Sequence, residues 1–299
     1  MARRVPLAAV ALTLLAANVA AQVPSADPAT RTVYLTVTGK DGAPVEDLAP
    51  GDLEIKEGGR VVRIDDLHPA TEPLQIALIV DDNGTGLFRA ALARFIGRME
   101  GRAAMSLSSV TGQTMKLVDY TADLEALYQG VATLNARPGT PDGGQLMEGI
   151  SEAAIELRRR NAQRPVIIAL TVGGEEHSTA HADDVLNKLR QSGAALHVFS
   201  VAASALRSTV VASAPSALLQ ENMHLSRVLG DGPKQSGGRH EAIVASAGVV
   251  MGLQHLAAEL TQQYKVRYTL PPGARPSARL SVSAKRRGID VRAPSRIPN

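Results

Sequence analysis

Two fully apolar segments constrain the fold of this 299-residue chain most strongly. They read IALIV (76–80) and PVIIALT (165–171). Strands that are apolar on both faces belong to parallel sheets that helices cover on both sides. Helical apolar spacing follows the first segment, and strand and helix patterns then alternate up to residue 201. We therefore predict an α/β fold with a doubly wound, mostly parallel sheet.

The two ends of the chain show a different pattern, in which apolar and polar residues alternate. Near the amino terminus the alternation runs through VYLTVT and DLEIKEGGRVVRIDDL, where Gly58 and Gly59 predict a hairpin turn. Near the carboxyl terminus it returns in YKVRYTL, ARLSVSA and IDVR. Both ends are therefore expected to be β segments. They are candidates for a single β-sandwich into which the α/β domain is inserted.

These patterns divide the chain into five predicted parts. They are a signal peptide (1–21), a linker (22–30), an amino-terminal β segment (31–73), an α/β domain (74–262) and a carboxyl-terminal β segment (263–299). Within the domain, the Ala- and Ser-rich stretch 202–247 is hard to interpret. We predict a helix over 217–229, followed by a Gly-rich loop, GDGPKQSGG.

The first 21 residues, MARRVPLAAVALTLLAANVAA, have the basic start, apolar middle and small-residue end of a secretory signal. The alternative is a membrane anchor, but the apolar run is short for a membrane span. We expect cleavage after Ala21, a periplasmic or secreted protein, and no stable membrane insertion afterwards. The chain has no cysteine, so disulfides and thiolate metal sites are excluded.

Composition also argues against a nucleic-acid partner. Lys and Arg number 32 and Asp and Glu 29, and the signal contains two of the arginines and no acid, so the mature protein is nearly neutral. Trp is absent and only three Phe occur, which leaves few rings for stacking on bases.

Asp81 and Asp82 stand where the first apolar strand gives way to a helix expected to begin near Gly86. A helix amino terminus favours negative charge and side-chain oxygens that accept its free N–H groups. Our preferred interpretation is that the two aspartates cap this helix.

The order of segments resembles the secreted bacterial VWFA-related family of the acidobacterial type, whose members carry a von Willebrand factor A domain. The resemblance covers roughly residues 31–293. It rests on the opening VYLTVTGKDGAPVEDLAPGDLEIKEGGR, the Gly-Gly loop in SGGRHEAI and the closing LAAELTQQYKVRYTLPPG. It implies a Rossmann-like α/β fold and a protein that acts through interaction rather than catalysis.

In this family, the metal-binding members hold Mg²⁺ or Mn²⁺ with an Asp-x-Ser-x-Ser loop, a Thr and a second Asp. The resemblance places six residues at or beside these positions: Asp81, Asn83, Thr85, Thr140, Gly144 and Val172. Gly144 stands at the Thr position, with Thr140 close by, and Val172 stands at the second Asp. Because Mg²⁺ depends on charged oxygen ligands, we expect a degenerate adhesion site that has lost high-affinity metal binding.

The sequence gives less support to replacement metal ligands and to other kinds of site. Asp82, Glu175 and Glu176 could replace the lost oxygens, but we prefer to interpret them as solvated loop charges. His177 and His181 in HSTAH have a two-ligand helical spacing but lack the glutamate of a zinc protease between them, so a solvated loop is preferred. GTGLFRA and GDGPKQSGG match neither a dinucleotide fingerprint nor a phosphate loop, and a nucleophile elbow is absent from the sequence.

The sequence thus predicts an exported, non-enzymatic interaction or scaffold protein without a cofactor, with an unknown protein partner in the cell envelope. Its contact surface is expected at the loops near 81–86, 139–144 and 172–178, which we call the top face. Two alternatives remain open at this point. One is an adhesion domain that still binds Mg²⁺ or Mn²⁺ and an acidic residue of a partner. The other is a hydrolase or nucleotide-dependent enzyme that uses the same crevice.

Overall fold

The computed structural model describes residues 30–135, 144–201, 216–244 and 246–298. The strands are β1 (Thr30–Gly39), β2 (Leu53–Glu57), β3 (Arg60–Val62), β4 (Ile64–Pro69), β5 (Leu74–Asp81), β6 (Ala103–Thr111), β7 (Gln113–Thr121), β8 (Arg164–Thr171), β9 (Ala195–Val201), β10 (His240–Ile243), β11 (Tyr264–Thr269), β12 (Leu280–Ala284) and β13 (Ile289–Arg292). The α-helices are α1 (Arg89–Arg98), α2 (Leu124–Ala132), α3 (Leu146–Arg159), α4 (Ala182–Ser192), α5 (Ser216–Ser236) and α6 (Ser246–Thr261). Short 3₁₀ turns lie at Pro50–Asp52 and Thr133–Asn135.

The predicted α/β fold is confirmed. Six strands form one sheet in the order β10-β9-β8-β5-β6-β7, and every neighbouring pair is parallel except β6 and β7. Helices α1, α2 and α6 cover one face, and α3, α4 and α5 cover the other. The central strands β5 and β8 are buried along nearly their whole length, which is why they are apolar on both faces.

The two β ends pair with each other. Strand β1 lies between β11 and β13, and β11 also pairs with β4, so one antiparallel sheet mixes both ends of the chain. A second sheet pairs β12 with the hairpin β2-β3, whose turn residues Gly58 and Gly59 have φ of 57° and 84°. One hydrophobic cluster takes side chains from both sheets, including Leu35, Ile55 and Tyr268.

One local prediction differs from the structure, and one strand was not foreseen. GDGPKQS is not a loop, because α5 continues through it to Ser236 with Pro233 inside the helix. The reason is packing: Gly232 is buried, and a Cβ atom at that position would lie 2.8 Å from Leu196 on β9. Close contact with the sheet here overrides the low helix propensity of Gly and Pro. Strand β10, at the sheet edge, was not predicted either.

Other predictions fall wholly or partly outside the described residues, namely the signal peptide and the linker up to residue 29. The bounds of the five predicted parts remain predictions. Within the described part of the chain, every helix is too short or too polar to cross a membrane.

Candidate functional site

The top face begins with Asp81, the last residue of the central strand β5. Asp81 lies opposite Thr171, the last residue of β8, because the two parallel strands end in register. The Thr171 hydroxyl donates a 2.7 Å hydrogen bond to Asp81 Oδ2, and the Val172 amide donates to the Asp81 backbone carbonyl at 2.9 Å. The carboxylate is therefore engaged by the neighbouring strand, and the side chain is only 8% exposed.

The loop after Asp81 is a tight turn built around Asp82. Asp82 Oδ1 accepts a hydrogen bond from the Gly84 amide at 3.0 Å, and its backbone carbonyl accepts one from the Thr85 hydroxyl at 2.8 Å. Asn83 adopts a φ of 52°, a left-handed conformation that Asn tolerates better than most residues. Asp82 is fully buried, so its interpretation as a solvated charge is wrong.

The aspartates do not cap α1 in the way predicted. The helix begins at Arg89, and its amino-terminal cap is Phe88, which makes no side-chain capping hydrogen bond. The turn delays the start of the helix because Asp82 satisfies the amides of the loop instead. The interpretation of Asp81 and Asp82 as helix caps is therefore wrong, and they belong to the loop itself.

Gly144, which the sequence resemblance placed at the Thr position, lies directly against Asp81. A Cβ atom at Gly144 would be 3.4 Å from Asp81 Oδ1 and 2.8 Å from Val110 Cγ1. The segment also pairs with the loop after β8, because the Gly144 amide donates to the Glu175 carbonyl and the His177 amide donates to the Gly144 carbonyl. Thr140 lies outside the described residues. The structure thus brings Asp81, Gly144 and Val172 together.

Glu176 is a functional candidate that sequence reasoning misjudged. It is 2% exposed, and its carboxylate accepts hydrogen bonds from the amides of Leu146 (3.2 Å) and Met147 (3.1 Å), the first two residues of α3. Glu176 therefore caps α3 from a loop 30 residues further along the chain, and its interpretation as a solvated charge is wrong. Because the contact is long-range, local sequence patterns carry no signal for it. Its neighbour Glu175 is exposed, as expected.

Burial dominates the electrostatics of these three acids. It raises the pKa of Asp81 to about 6, although the Thr171 hydrogen bond acts in the opposite direction. Burial likewise raises the pKa of Asp82. The pKa of Glu176 rises to about 8 through burial, with smaller contributions from Glu148 and Asp81. At neutral pH the site therefore holds fewer negative charges than it has carboxyl groups.

The two histidines of HSTAH do not share a helical face. His177 lies in the loop, whereas His181 is the residue before α4 and is exposed. His181 contacts His224 of α5 edge to face, with ring centroids 5.1 Å apart. Among the residues that the structure describes, no three His, Asp or Glu side chains are grouped so as to hold a metal ion.

Comparison with known proteins yields distant structural likenesses only. Neither a family model nor a curated protein matches the chain. The structure is similar to proximal thread matrix protein 1 of the mussel byssus, one form of which has a zinc-occupied MIDAS motif, at 12% identity and a TM-score of 0.45, over 69% of this chain and 49% of the mussel protein. It is similar to the PilB minor pilin of Streptococcus sanguinis at 10% identity and a TM-score of 0.45, over 64% and 62% of the two chains.

A third similar structure is the vWF domain of the type V pili tip protein Mfa5 of Porphyromonas gingivalis. It is 12% identical with a TM-score of 0.44, and the match covers 63% of this chain and 95% of that one. This chain therefore spans about half of the mussel protein but nearly all of the Mfa5 domain. A likeness at this level says nothing about activity, so the function has to be argued from the site itself.

Proposed function

We propose that the protein is an exported, non-enzymatic interaction protein, which contacts a protein partner through its top face without a metal ion. The proposal rests on one observation: the three buried acids of the site already make hydrogen bonds within the protein. Asp81 is engaged by Thr171, Asp82 closes the first loop, and Glu176 caps α3. The oxygens that a cation would need serve to hold the three loops together.

The residues at the family's metal positions do not fit Mg²⁺. This ion requires near-octahedral oxygen ligands at about 2.0–2.1 Å, and it is bound mainly through carboxylates. Val172 offers only an isopropyl group and Gly144 has no side chain. Thr85 directs its hydroxyl proton to the Asp82 carbonyl. Asp81 is the one carboxylate left at these positions, and it is buried and already accepts the Thr171 hydrogen bond, so it is a weak basis for a divalent site.

The same contacts preform the described part of the top face, which comprises 81–86, Gly144 and 172–178. The first and third loops are tied together through Asp81, and the second and third through the pairing of Gly144 with the segment around Glu176. Thr85, Leu87 and Glu175 are exposed on these loops. Residues that such contacts already hold in place lose less conformational entropy when a partner binds.

A metal titration tests the first half of the proposal. We expect about 5 mM Mg²⁺ or Mn²⁺ to stabilise the protein by less than about 0.4 kcal/mol, because a ligand stabilises appreciably only above its dissociation constant. Thermal unfolding with the metal or with EDTA measures this. The matched control is Asp81→Asn, which keeps the side-chain shape. A clear stabilisation of the wild type that Asp81→Asn removes would contradict the proposal and favour a metal-dependent adhesion domain.

Partner capture from the envelope fraction tests the second half. Leu87→Glu and Glu175→Lys change exposed positions of the top face, and we expect both to lose the partner that the wild type retains. Val61→Glu on β3 is the matched control, because Val61 is also an exposed apolar residue (58%) but belongs to the sandwich. Equal capture by all variants, or capture that EDTA abolishes, would contradict a metal-independent top-face contact.

A further inference from the structure

A second candidate site lies at the other end of the molecule, between the α/β domain and the sandwich. It is a cavity of about 170 Å³, which we call the junction cavity. Its walls are the start of β8, the end of α4, the end of α5, strand β1 and residues 294–298. An apolar cavity of about 150 Å³ is enough to bind benzene, so this one has room for a ligand with a single ring.

The charged lining of the junction cavity has only one sign. Three arginines line it, Arg164, Arg190 and Arg296, and its lining includes no Asp or Glu. Among the described residues, none of the three forms an ion pair, although nine other Lys and Arg side chains do. Positive charge concentrated in a concave site attracts anions.

Arg164 shows the imbalance most clearly. It is only 5% exposed, and its guanidinium donates to neutral acceptors, among them the carbonyls of Glu72 (2.8 Å) and Leu260 (2.5 Å). Its Nε is buried and has no hydrogen-bond partner among the described residues. Burial lowers the pKa of Arg164, and the nearby Glu72 carboxylate, which forms no direct ion pair with it, acts in the opposite direction but does not cancel this effect. An anionic ligand would offset the cost of the buried charge further. Arg190 likewise donates to a neutral group, Asn187.

The rest of the lining is largely apolar. Val166, Leu186, Leu189 and Ile297 contribute hydrocarbon surface. The Tyr34 ring also lines the cavity, with the Arg164 guanidinium 5.4 Å from the ring centroid. Apolar walls combined with a few placed polar groups are typical of small-molecule sites. A small, strongly hydrated inorganic anion would make no apolar contact with these side chains.

We propose that the junction cavity binds a small monocarboxylate with a compact apolar body. The carboxylate pairs with Arg190 and Arg296, whose planar guanidinium groups match it in two-pronged hydrogen bonds. Arg164 adds positive charge, because its two terminal nitrogens already donate to protein acceptors. The apolar body fills the space between α4 and the chain segment that ends at Pro298.

Isothermal titration of the whole protein with benzoate tests this inference, and benzamide is the neutral probe of the same shape. We expect saturable benzoate binding and at least tenfold weaker benzamide binding. Arg190→Gln and Arg296→Gln should each weaken benzoate binding about tenfold, the usual effect of losing a charge-assisted hydrogen bond. Both arginines are half-buried or exposed, so the variants should keep the fold. Arg98→Gln on α1 is the matched control and should bind as the wild type does.

Hydrogen exchange locates the ligand independently. Benzoate should slow exchange at residues 194–195 and 235–237, and leave the top-face loop 81–86 unchanged. Absence of saturable binding, equal affinity for benzamide, or benzoate affinity that neither arginine variant lowers would overturn the inference. Protection at the top face instead of the junction would also overturn it. None of these outcomes depends on whether the top face binds a protein.

Discussion

The carboxyl end of the parallel sheet buries acids, whereas the amino end buries a base. Asp81, Asp82 and Glu176 lie at the first end, and Arg164 lies at the second. The buried groups at each end also contact a helix terminus: the acids contact an amino terminus and the base contacts a carboxyl terminus. Glu176 accepts from the first amides of α3, and Arg164 donates to the carbonyl of Leu260 in the last turn of α6. Helix amino termini offer free N–H donors to carboxyl oxygens and helix carboxyl termini favour cations, so each group lies where a helix terminus supplies its partners.

The two ends of the parallel sheet differ in which parts of the molecule their buried ionisable groups connect. The three acids join loops of one α/β domain, and their hydrogen bonds span the top face only. Arg164 joins separate parts of the molecule, because its acceptors include Ala70 and Glu72 between β4 and β5, and Gln263 between α6 and β11. Buried ionisable groups thus shape a surface at one end, and at the other end they join β8 to the segment before β5 and to the segment after α6.

The largest expected effect is at Arg164. In a fragment of residues 31–293, Arg164→Met should lower the free energy of unfolding by about 3–5 kcal/mol, because several buried carbonyls lose their donor. In a fragment of residues 74–262 the same change should cost only about 1 kcal/mol, since Ala70, Glu72 and Gln263 are missing there. Urea unfolding of the four proteins measures both values.

Arg159→Met, at an exposed position of α3, is the control and should change neither fragment. A similar cost of Arg164→Met in the two fragments would mean that the arginine supports the α/β domain alone. If the shorter fragment is as stable as the longer one, the flanks do not stabilise the domain at all.

The second effect, on pH dependence, concerns the acidic end. Glu176 has a folded pKa of about 8 against an ordinary value of 4.5, so between these values the native state binds more protons than the unfolded state. Stability from this group is therefore greatest at low pH and is lost as the pH rises from about 5 to about 8. The loss should be on the order of 3 kcal/mol, and Glu176→Gln should flatten it.

Thermal or urea unfolding at a series of pH values measures the slope. Glu175→Gln is the matched control: the neighbouring carboxylate is exposed, so this variant should keep the wild-type profile. A wild-type protein whose stability rises from pH 5 to pH 8, in step with Glu176→Gln, would show that Glu176 is not the buried, protonated group described above.

The smallest expected effect is a difference in stability between two glycine-to-alanine variants. Gly144→Ala should cost about 1–2 kcal/mol, because the new Cβ would lie 2.8 Å from Val110 Cγ1. Gly230→Ala in α5 should instead add up to about 1 kcal/mol, since its Cβ meets nothing within 4 Å and alanine favours a helix. Melting temperatures test the pair. If both variants raise the melting temperature, the backbone around Gly144 can shift at little cost, and a larger residue could be accommodated beside Asp81.

The framework of the fold was predictable from local patterns. The apolar segment 165–171 corresponds to β8, which begins one residue earlier, and the helix before Gly193 ends where Gly adopts a φ of 66°. Such elements depend on side-chain periodicity and on backbone preferences within a few residues. The pairing of the two β ends was foreseen only as a candidate arrangement, because strand patterns do not encode their partners.

Long-range contacts explain what the sequence did not reveal. The roles of Glu176 and Arg164 depend on amides and carbonyls about 30 and more than 90 positions away. An arginine at the start of an otherwise apolar strand was a possible signal for the second, whereas adjacent glutamates in a loop looked alike although one is buried. The continuation of α5 through Gly232 likewise depends on contact with Leu196.

The pairing of β1 with β11 and β13 has a consequence for the order of folding. Thr30 meets Thr269 across the sheet, so this ladder must close a loop of more than 200 residues. Closing so long a chain at random is slow and entropically unfavourable. Once the α/β domain has formed, however, Ala70 and Gln263 are joined by a 2.8 Å hydrogen bond and the effective loop is short. We therefore expect amide protection in pulse-labelled refolding to develop at 166–170 before 33–37. The opposite order would mean that β1 and β11 pair before the α/β domain has formed.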